Sequence, residues 1–320
     1  VLVALAVAYI VIAVRAGQQT NEQFVNALTI GALYALIALG YTMVYGIIEL
    51  INFAHGEIFM CGSFVAWGLI TSLGFTGTIQ DPILLVLVMF VVFLVSMFTM
   101  GVLGVVIERF AYRPLRNAPR LAPLITAIGV SFILQNIVFV GISNSIVTVP
   151  KLIPFTEIAF GPVNIRVINL FVIVVAVALM AALQVFTTRT RLGTAMRSTA
   201  MDREAAQLMG VDINRAIAIT FFIGAALAGA AGVVQTQYLG TTHFRLGFRA
   251  GLYAFTAAVL GGIGNTTGAA LGGFVIGFLE VISSVYGYGR WSEAVIFTTL
   301  ILVLIFRPTG LLGQQTAERA

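Results

Sequence analysis

The sequence predicts an all-α, polytopic transmembrane helical bundle of about 8–10 helices, some of them broken or re-entrant. Three observations carry that reading. Hydrophobic residues make up 60% of the 320 and charged residues only 9%, where a soluble domain holds roughly 25% charged residues. The apolar residues gather into runs of about 20, long enough to cross a bilayer, with short polar stretches between them. The 17 basic residues, Lys151 the only lysine, concentrate in two loops, which speaks to orientation in lipid rather than to nucleic acid. The single cysteine, Cys61, excludes an intramolecular disulfide and a multi-cysteine metal site. Residues 1–320 read as one membrane domain.

The elements follow in chain order. Residues 1–14 are apolar but short for a full crossing, and read as a truncated first helix or the end of a signal peptide. A second helix is expected over residues 24–45, with Tyr41 and Tyr45 suited to an interface. Residues 46–57 (GIIELINFAHGE) place Glu49, Asn52, His55 and Glu57 between two apolar runs, and read as a break between helices or a re-entrant turn. Helices then follow over 58–73, 82–107 and 121–141. Between the last two, Arg109, Arg113, Arg116 and Arg120 against one acid mark a cytoplasmic loop. Residues 142–169 hold only two cations and are placed outside. A sixth helix over 170–187 returns inward to a second arginine-rich loop, about 188–215.

Within that loop lies a polar island, residues 197–215 (RSTAMDREAAQLMGVDINR). As one helix over 199–209, it puts Met201, Ala205, Leu208 and Met209 on one stripe, with Asp202, Arg203 and Gln207 turned away. Thr199 could cap its start and Gly210 its end. Such a helix is shaped either to dock into a groove on a partner or to lie on lipid headgroups. Beyond it, residues 216–238 form a helix rich in glycine and alanine, and 239–249 a polar stretch with His243. Residues 250–263 are long enough for about half a bilayer, and so either cross briefly or re-enter. In 264–286, Gly264, Gly268 and Gly272 recur every four residues, a spacing that lets helices pack backbone to backbone. Residues 291–306 make the last span.

The parts suggest a transport pore. Two halves each carry a broken polar segment with one histidine, His55 and His243, and paired breaks point to internal pseudo-symmetry. Asn52, His55, Glu57 and His243 are candidates for lining the path or for fixing the broken helices. Glu49 and Glu57 read as interfacial, and Glu280 either as a polar contact in the pore or as an acid near a helix end facing water. No phosphate-binding G-x-x-x-x-G-K-[ST] loop and no H-E-x-x-H is present, so the chain has no ATP site of that kind and no zinc-protease signature.

Four stretches carry a resemblance. Residues 35–57 (ALIALGYTMVYGIIELINFAHGE), 107–117 (IERFAYRPLRN), 255–273 (FTAAVLGGIGNTTGAALGG) and 307–313 (RPTGLLG) closely resemble the permease of bacterial high-affinity branched-chain amino-acid ABC importers. The resemblance covers about residues 24–313. It implies an ABC importer permease fold and a heteromeric assembly in the bacterial inner membrane. This chain would pair there with a homologous second permease, two cytoplasmic ATPase subunits and an external substrate-binding protein. ATP and Mg would be bound on the ATPase partners, with no cofactor and no catalysis on this chain. Glu204, Ala205, Ala206 and Gly210 match the first part of the loop motif of importer permeases, which implies ATPase coupling there, with Met209 entering the partner's groove. The later Ile-x-Leu-Pro of that motif is missing. Urea or short amides as cargo, and an ATP-independent channel or facilitator, remain alternatives.

Overall fold

A computed structural model describes residues 2–50, 52–116, 118–119, 121–160 and 163–313. Its helices are α1 (Leu2–Ala16), α2 (Thr20–Ile48), α3 (His55–Ser72), α4 (Pro82–Ile107), α5 (Leu121–Gly141), α6 (Val167–Arg189), α7 (Arg191–Met201), α8 (Arg203–Leu208), α9 (Ile213–Leu239), α10 (Leu246–Gly261), α11 (Thr266–Val285) and α12 (Ser292–Phe306). Seven helical stretches among the described residues, built on α2, α4, α5, α6, α9, α11 and α12, are long and apolar enough to cross a membrane. The 18-residue α3 opens on His-Gly-Glu, which dilutes its apolar character, and α1 and α10 are shorter still.

Local chemistry sets the helix ends. The Asp81 side chain accepts the Ile83 N–H at 2.9 Å and Pro82 opens α4, a pairing that starts a helix where no preceding carbonyl is free. α4 runs on through a π-helical turn, Glu108–Tyr112, and a 3-10 turn, Arg113–Leu115, so much of the predicted basic loop continues the helix. Helices expected at 24–45 and 170–187 are longer in the structure, since polar residues such as Thr20, Asn21 and Arg189 extend them beyond the apolar run. The connection between α5 and α6 holds structure that its prolines and low periodicity concealed. β2 (Glu157–Phe160) and β3 (Val163–Arg166) form an antiparallel hairpin, and β1 (Val147–Thr148) pairs with β4 (Thr241–Thr242).

α2 and α9 are buried along most of their length, whereas α4, α5, α6 and α12 turn apolar faces outward, as lipid-facing helices do. Packing follows an internal symmetry. α2 lies on α11 as α9 lies on α4; α10 meets α2 as α3 meets α9; α12 flanks α10 as α5 flanks α3. The series α2–α5 and α9–α12 therefore correspond in order. They run in opposite directions: α2 ends beside Arg203 of the arginine-rich loop, where α9 begins. This is an inverted repeat, and its two halves share their breaks.

The predicted glycine ridge divides into two roles. A β-carbon on Gly272 would run into the Ala257 carbonyl, and one on Gly268 into the Gly261 carbonyl, so both let α10 and α11 touch through their backbones. Gly264 is not part of that contact. It precedes α11 with φ +88°, a turn conformation that L side chains rarely adopt, and a β-carbon there would meet only the Gly46 Cα, at 3.9 Å. Asn265 then caps α11, its Oδ1 accepting the Gly268 N–H at 3.1 Å. Replacing Gly272 with valine is expected to cost on the order of 1–3 kcal/mol by overpacking. A thermal-denaturation series in detergent would register this as a lowered midpoint, with Gly264→Ala as the strain-only comparison.

Candidate functional site

The two breaks have the same construction. α2 closes on Glu49 with φ 55°, and α9 closes on Gly240 with φ 72°, both left-handed. The next helices then begin inside the bundle, α3 at His55 and α10 at Leu246. The first turns of α3 and α10 meet: a β-carbon on Gly56 would collide with the Gly247 carbonyl, and one on Gly247 with the Gly56 carbonyl and Glu57 Oε2. Two helix N-termini thus face one another inside the bundle, on the axis relating the halves. Broken helices of this kind are tolerated in a membrane where protein buries them.

Asn52, His55 and Glu57 all lie in this junction. The Asn52 Oδ1 accepts the Ala54 N–H and the Tyr112 hydroxyl, both at 3.1 Å, and its carbonyl accepts the His55 N–H at 3.0 Å, so it shapes the start of α3. His55 is 0% exposed, packed edge-on against Tyr41 with ring centroids 4.6 Å apart and seated over Gly40. Its ring approaches the Ile37 carbonyl, yet neither nitrogen closes a hydrogen bond of full geometry. Glu57 is 1% exposed, which corrects its interfacial reading; the break carries it inward, while Glu49 stays at the surface. Glu57 Oε1 accepts the Ser131 hydroxyl at 3.3 Å, and Oε2 has no partner among the described residues. A buried carboxylate with one oxygen unsatisfied is costly in lipid and marks a polar place inside the bundle.

His243 is not part of this cluster. It sits in the second break, where its Nδ1 accepts the Arg245 N–H at 3.2 Å and its carbonyl the Leu246 N–H at 3.0 Å, shaping the start of α10. Its ring lines a cavity at the end of the bundle opposite the arginine-rich loop, beside Ile30, Tyr34 and Glu280. Glu280 lines the same cavity, half-buried, and accepts the Tyr34 hydroxyl at 2.8 Å, so it is not a free acid at a helix end.

The polar island differs from the single helix expected over 199–209. Asp202, extended at φ −157°, separates α7 from α8 and caps α8 by accepting the Glu204 and Ala205 N–H groups. Thr199 is not a cap; it is buried in α7 and its hydroxyl bonds the Ala195 carbonyl at 2.8 Å. The signal for the true start was an aspartate ahead of Glu204, a better cap than a threonine inside a preceding helix. Gly210 ends α8 as expected, with φ +84° and the Val211 N–H bonded back to Ala206. Ala206 faces the protein, whereas Glu204, Ala205, Leu208 and Met209 face away, Leu208 at 88% and Met209 at 85% exposure.

Turned away from the exposed apolar stripe, Arg203 ties α8 to the bundle, beside the packing of α7 on α2 and α9. Its guanidinium donates to the Ile47 carbonyl at 2.9 Å, at the end of α2 next to the first break. No local pattern announces a partner 156 residues earlier in the chain. Nearby, Arg116 pairs with buried Glu108 and donates to Asn214 at 2.6 Å, tying the α4 extension to α9. A cavity of about 520 Å³ opens between these parts, lined by Glu49, Tyr112, Arg116, Asp202, Arg203 and Glu204. The coupling candidates and the break candidates therefore lie at two ends of one continuous structure, through Arg203, Ile47, Asn52 and Tyr112.

Comparison with known proteins matches this architecture to one group. The family model described as the branched-chain amino acid transport system permease component matches residues 23–304. The permease BraD of the Pseudomonas aeruginosa high-affinity branched-chain amino acid transport system is 45% identical over 302 residues, covering 93% of this chain and 97% of that protein. The corresponding permease LivH is 44% identical in Escherichia coli and 43% in Salmonella typhimurium, with the same coverage. Among solved structures none matches the chain. A multi-pass helical protein with broken helices, matched along nearly its whole length, this chain belongs to the branched-chain amino acid transport system permease family and is a transport component, not an enzyme.

Proposed function

We propose that the chain is one of two related permease subunits of an ATP-driven importer that carries branched-chain amino acids across the bacterial inner membrane. An external binding protein delivers the cargo. Two cytoplasmic ATPase subunits bind and hydrolyse ATP with its magnesium, and dock beneath α8. The observation that carries this reading is α8 itself: its apolar side chains point away from its own chain, while Arg203 grips the end of α2. A facilitator working alone has no use for such a helix.

Closure of the ATPases around ATP would displace α8, and Arg203 would transmit that movement to the last turn of α2. The left-handed residue Glu49 and the irregular segment after it can absorb the change in direction. The buried junction of α3 with α10 would then reposition, exposing the pathway to one side or the other. The energy comes from the differential affinity of ATP for the closed arrangement. Asn52, His55 and Glu57 hold that junction, His243 shapes the start of α10, and Gly268 and Gly272 keep α10 against α11 as a unit.

Glu204 stands exposed in the first turn of α8, where an acid complements the helix dipole and is available to a partner's cation. Glu204→Lys is expected to reduce the ATPase recovered with the chain several-fold after extraction in mild detergent, while the amount inserted in the membrane stays the same. Undiminished ATPase recovery and undiminished leucine uptake would overturn its assignment to the docking site.

A further inference from the structure

The cavity lined by His243 and Glu280, about 690 Å³, lies within the range of small-molecule sites and holds charges of both signs between apolar walls. Ile30, Leu33, Phe59, Phe132 and Leu246 supply the walls. The charges are Glu280 from α11, Arg249 from the first turn of α10 and Arg245 from the residue before it. Two tyrosines fix how the acid and Arg249 stand. The Tyr34 hydroxyl donates to Glu280 Oε2 at 2.8 Å, Arg249 donates to the Tyr253 hydroxyl at 3.3 Å, and the two tyrosine rings meet edge-on at 5.4 Å.

Arg249 and Glu280 do not close an ion pair with each other; Glu280 is bonded to Tyr34 and Arg249 to Tyr253. Arg249 reaches instead to Glu293 at 3.0 Å, in a pair more than half exposed on both sides. Such a pair is weak, and a better-placed carboxylate can displace it. Glu280 uses Oε2 on Tyr34, and among the described residues no hydrogen bond occupies Oε1, which is left for a cation.

An acid and a base held apart at the edge of an apolar cavity complement one ligand class better than others. A monocation or monoanion would leave one of the charges opposed. A neutral amide such as urea needs neither charge and has nothing for the apolar walls to cover. We infer that this cavity is a binding site for the zwitterion of an α-amino acid with an apolar side chain, Glu280 facing its ammonium, Arg249 and Arg245 its carboxylate, and the walls its side chain. The inference rests on the importer reading and adds to it a site on the permease at which the cargo is recognised after the binding protein lets it go.

The test uses the whole importer, with its ATPases, second permease and binding protein, reconstituted in liposomes and supplied with radiolabelled L-leucine. Glu280→Gln and Arg249→Gln are each expected to lower leucine carried per ATP hydrolysed by tenfold or more, with subunit recovery and ATPase rate unchanged. Tyr34→Phe, which only frees the Glu280 side chain, is expected to lower it several-fold and serves if a charge variant fails to assemble. A fall in ATPase rate in step with transport would assign these residues to assembly and overturn the site. Transport per ATP within twofold of wild type in all three variants would overturn it too, leaving the importer reading intact. No leucine uptake by the wild-type importer, with its ATPases active, would overturn the reading and the site together.

Discussion

With Leu208 and Met209 both replaced by glutamate, the chain is expected to reach the membrane and fold but to recover almost no ATPase, and leucine uptake should fall by two orders of magnitude or more. These two side chains cover nothing in their own chain: Leu208 is 88% and Met209 85% exposed, at the end of a helix whose other face is held by Ala206. Apolar anchors at the centre of an interface each contribute about 2 kcal/mol or more, roughly thirtyfold in affinity apiece. Introducing a carboxylate in their place adds the cost of burying a charge without a partner. Thermal stability should barely change, since no contact within the fold is lost. Pull-down of the ATPase and an uptake assay on the same membranes check both halves. Unchanged ATPase recovery would remove α8 from the docking surface.

Arg203→Ala is expected to do something different: the ATPases stay bound and hydrolyse ATP, while transport per ATP falls about tenfold, a coupling loss on the scale of 1.4 kcal/mol. The arginine spans the gap between the arginine-rich loop and the Ile47 carbonyl. A hydrogen bond from a charged donor contributes about 1.5–3 kcal/mol, enough to make the last turn of α2 follow the loop. Arg203→Lys should restore part of the coupling, because an ammonium can reach the same carbonyl without the guanidinium's fixed fork. Measured as leucine delivered per phosphate released, an unaltered ratio in Arg203→Ala would show that movement reaches the bundle by another route. Arg116, between Glu108 and Asn214, offers one such route by tying the α4 extension to α9.

The contrast between these two variants reflects what sequence can and cannot show. The spans were legible because lipid imposes long apolar runs, so α4 and α5 fall at Pro82–Ile107 and Leu121–Gly141 as read. The breaks were legible because Asn52, His55 and Glu57 interrupt such a run. Their depth was not, because composition does not say whether a chain leaves the membrane or folds back into it; hence Glu57 read as interfacial and is buried. Gly264, Gly268 and Gly272 share a spacing but not a role, since one serves a left-handed turn and two serve packing. Arg203 with Ile47 and Tyr34 with Glu280 are pairs made by tertiary structure across 156 and 246 residues, and nothing local marks either. The paired breaks hinted at a repeat, and its inverted arrangement became plain only in the packing of α2–α5 and α9–α12.

The central claim is that this chain moves its cargo only when ATPase partners act on it through α8. The most direct test is leucine uptake into liposomes containing the purified chain, with and without its partner subunits and ATP. Accumulation above the external concentration that needs ATP and every partner, and vanishes in the Leu208/Met209 double variant, is the predicted result. Equilibration of leucine across the membrane by the chain alone, without ATP, would contradict it.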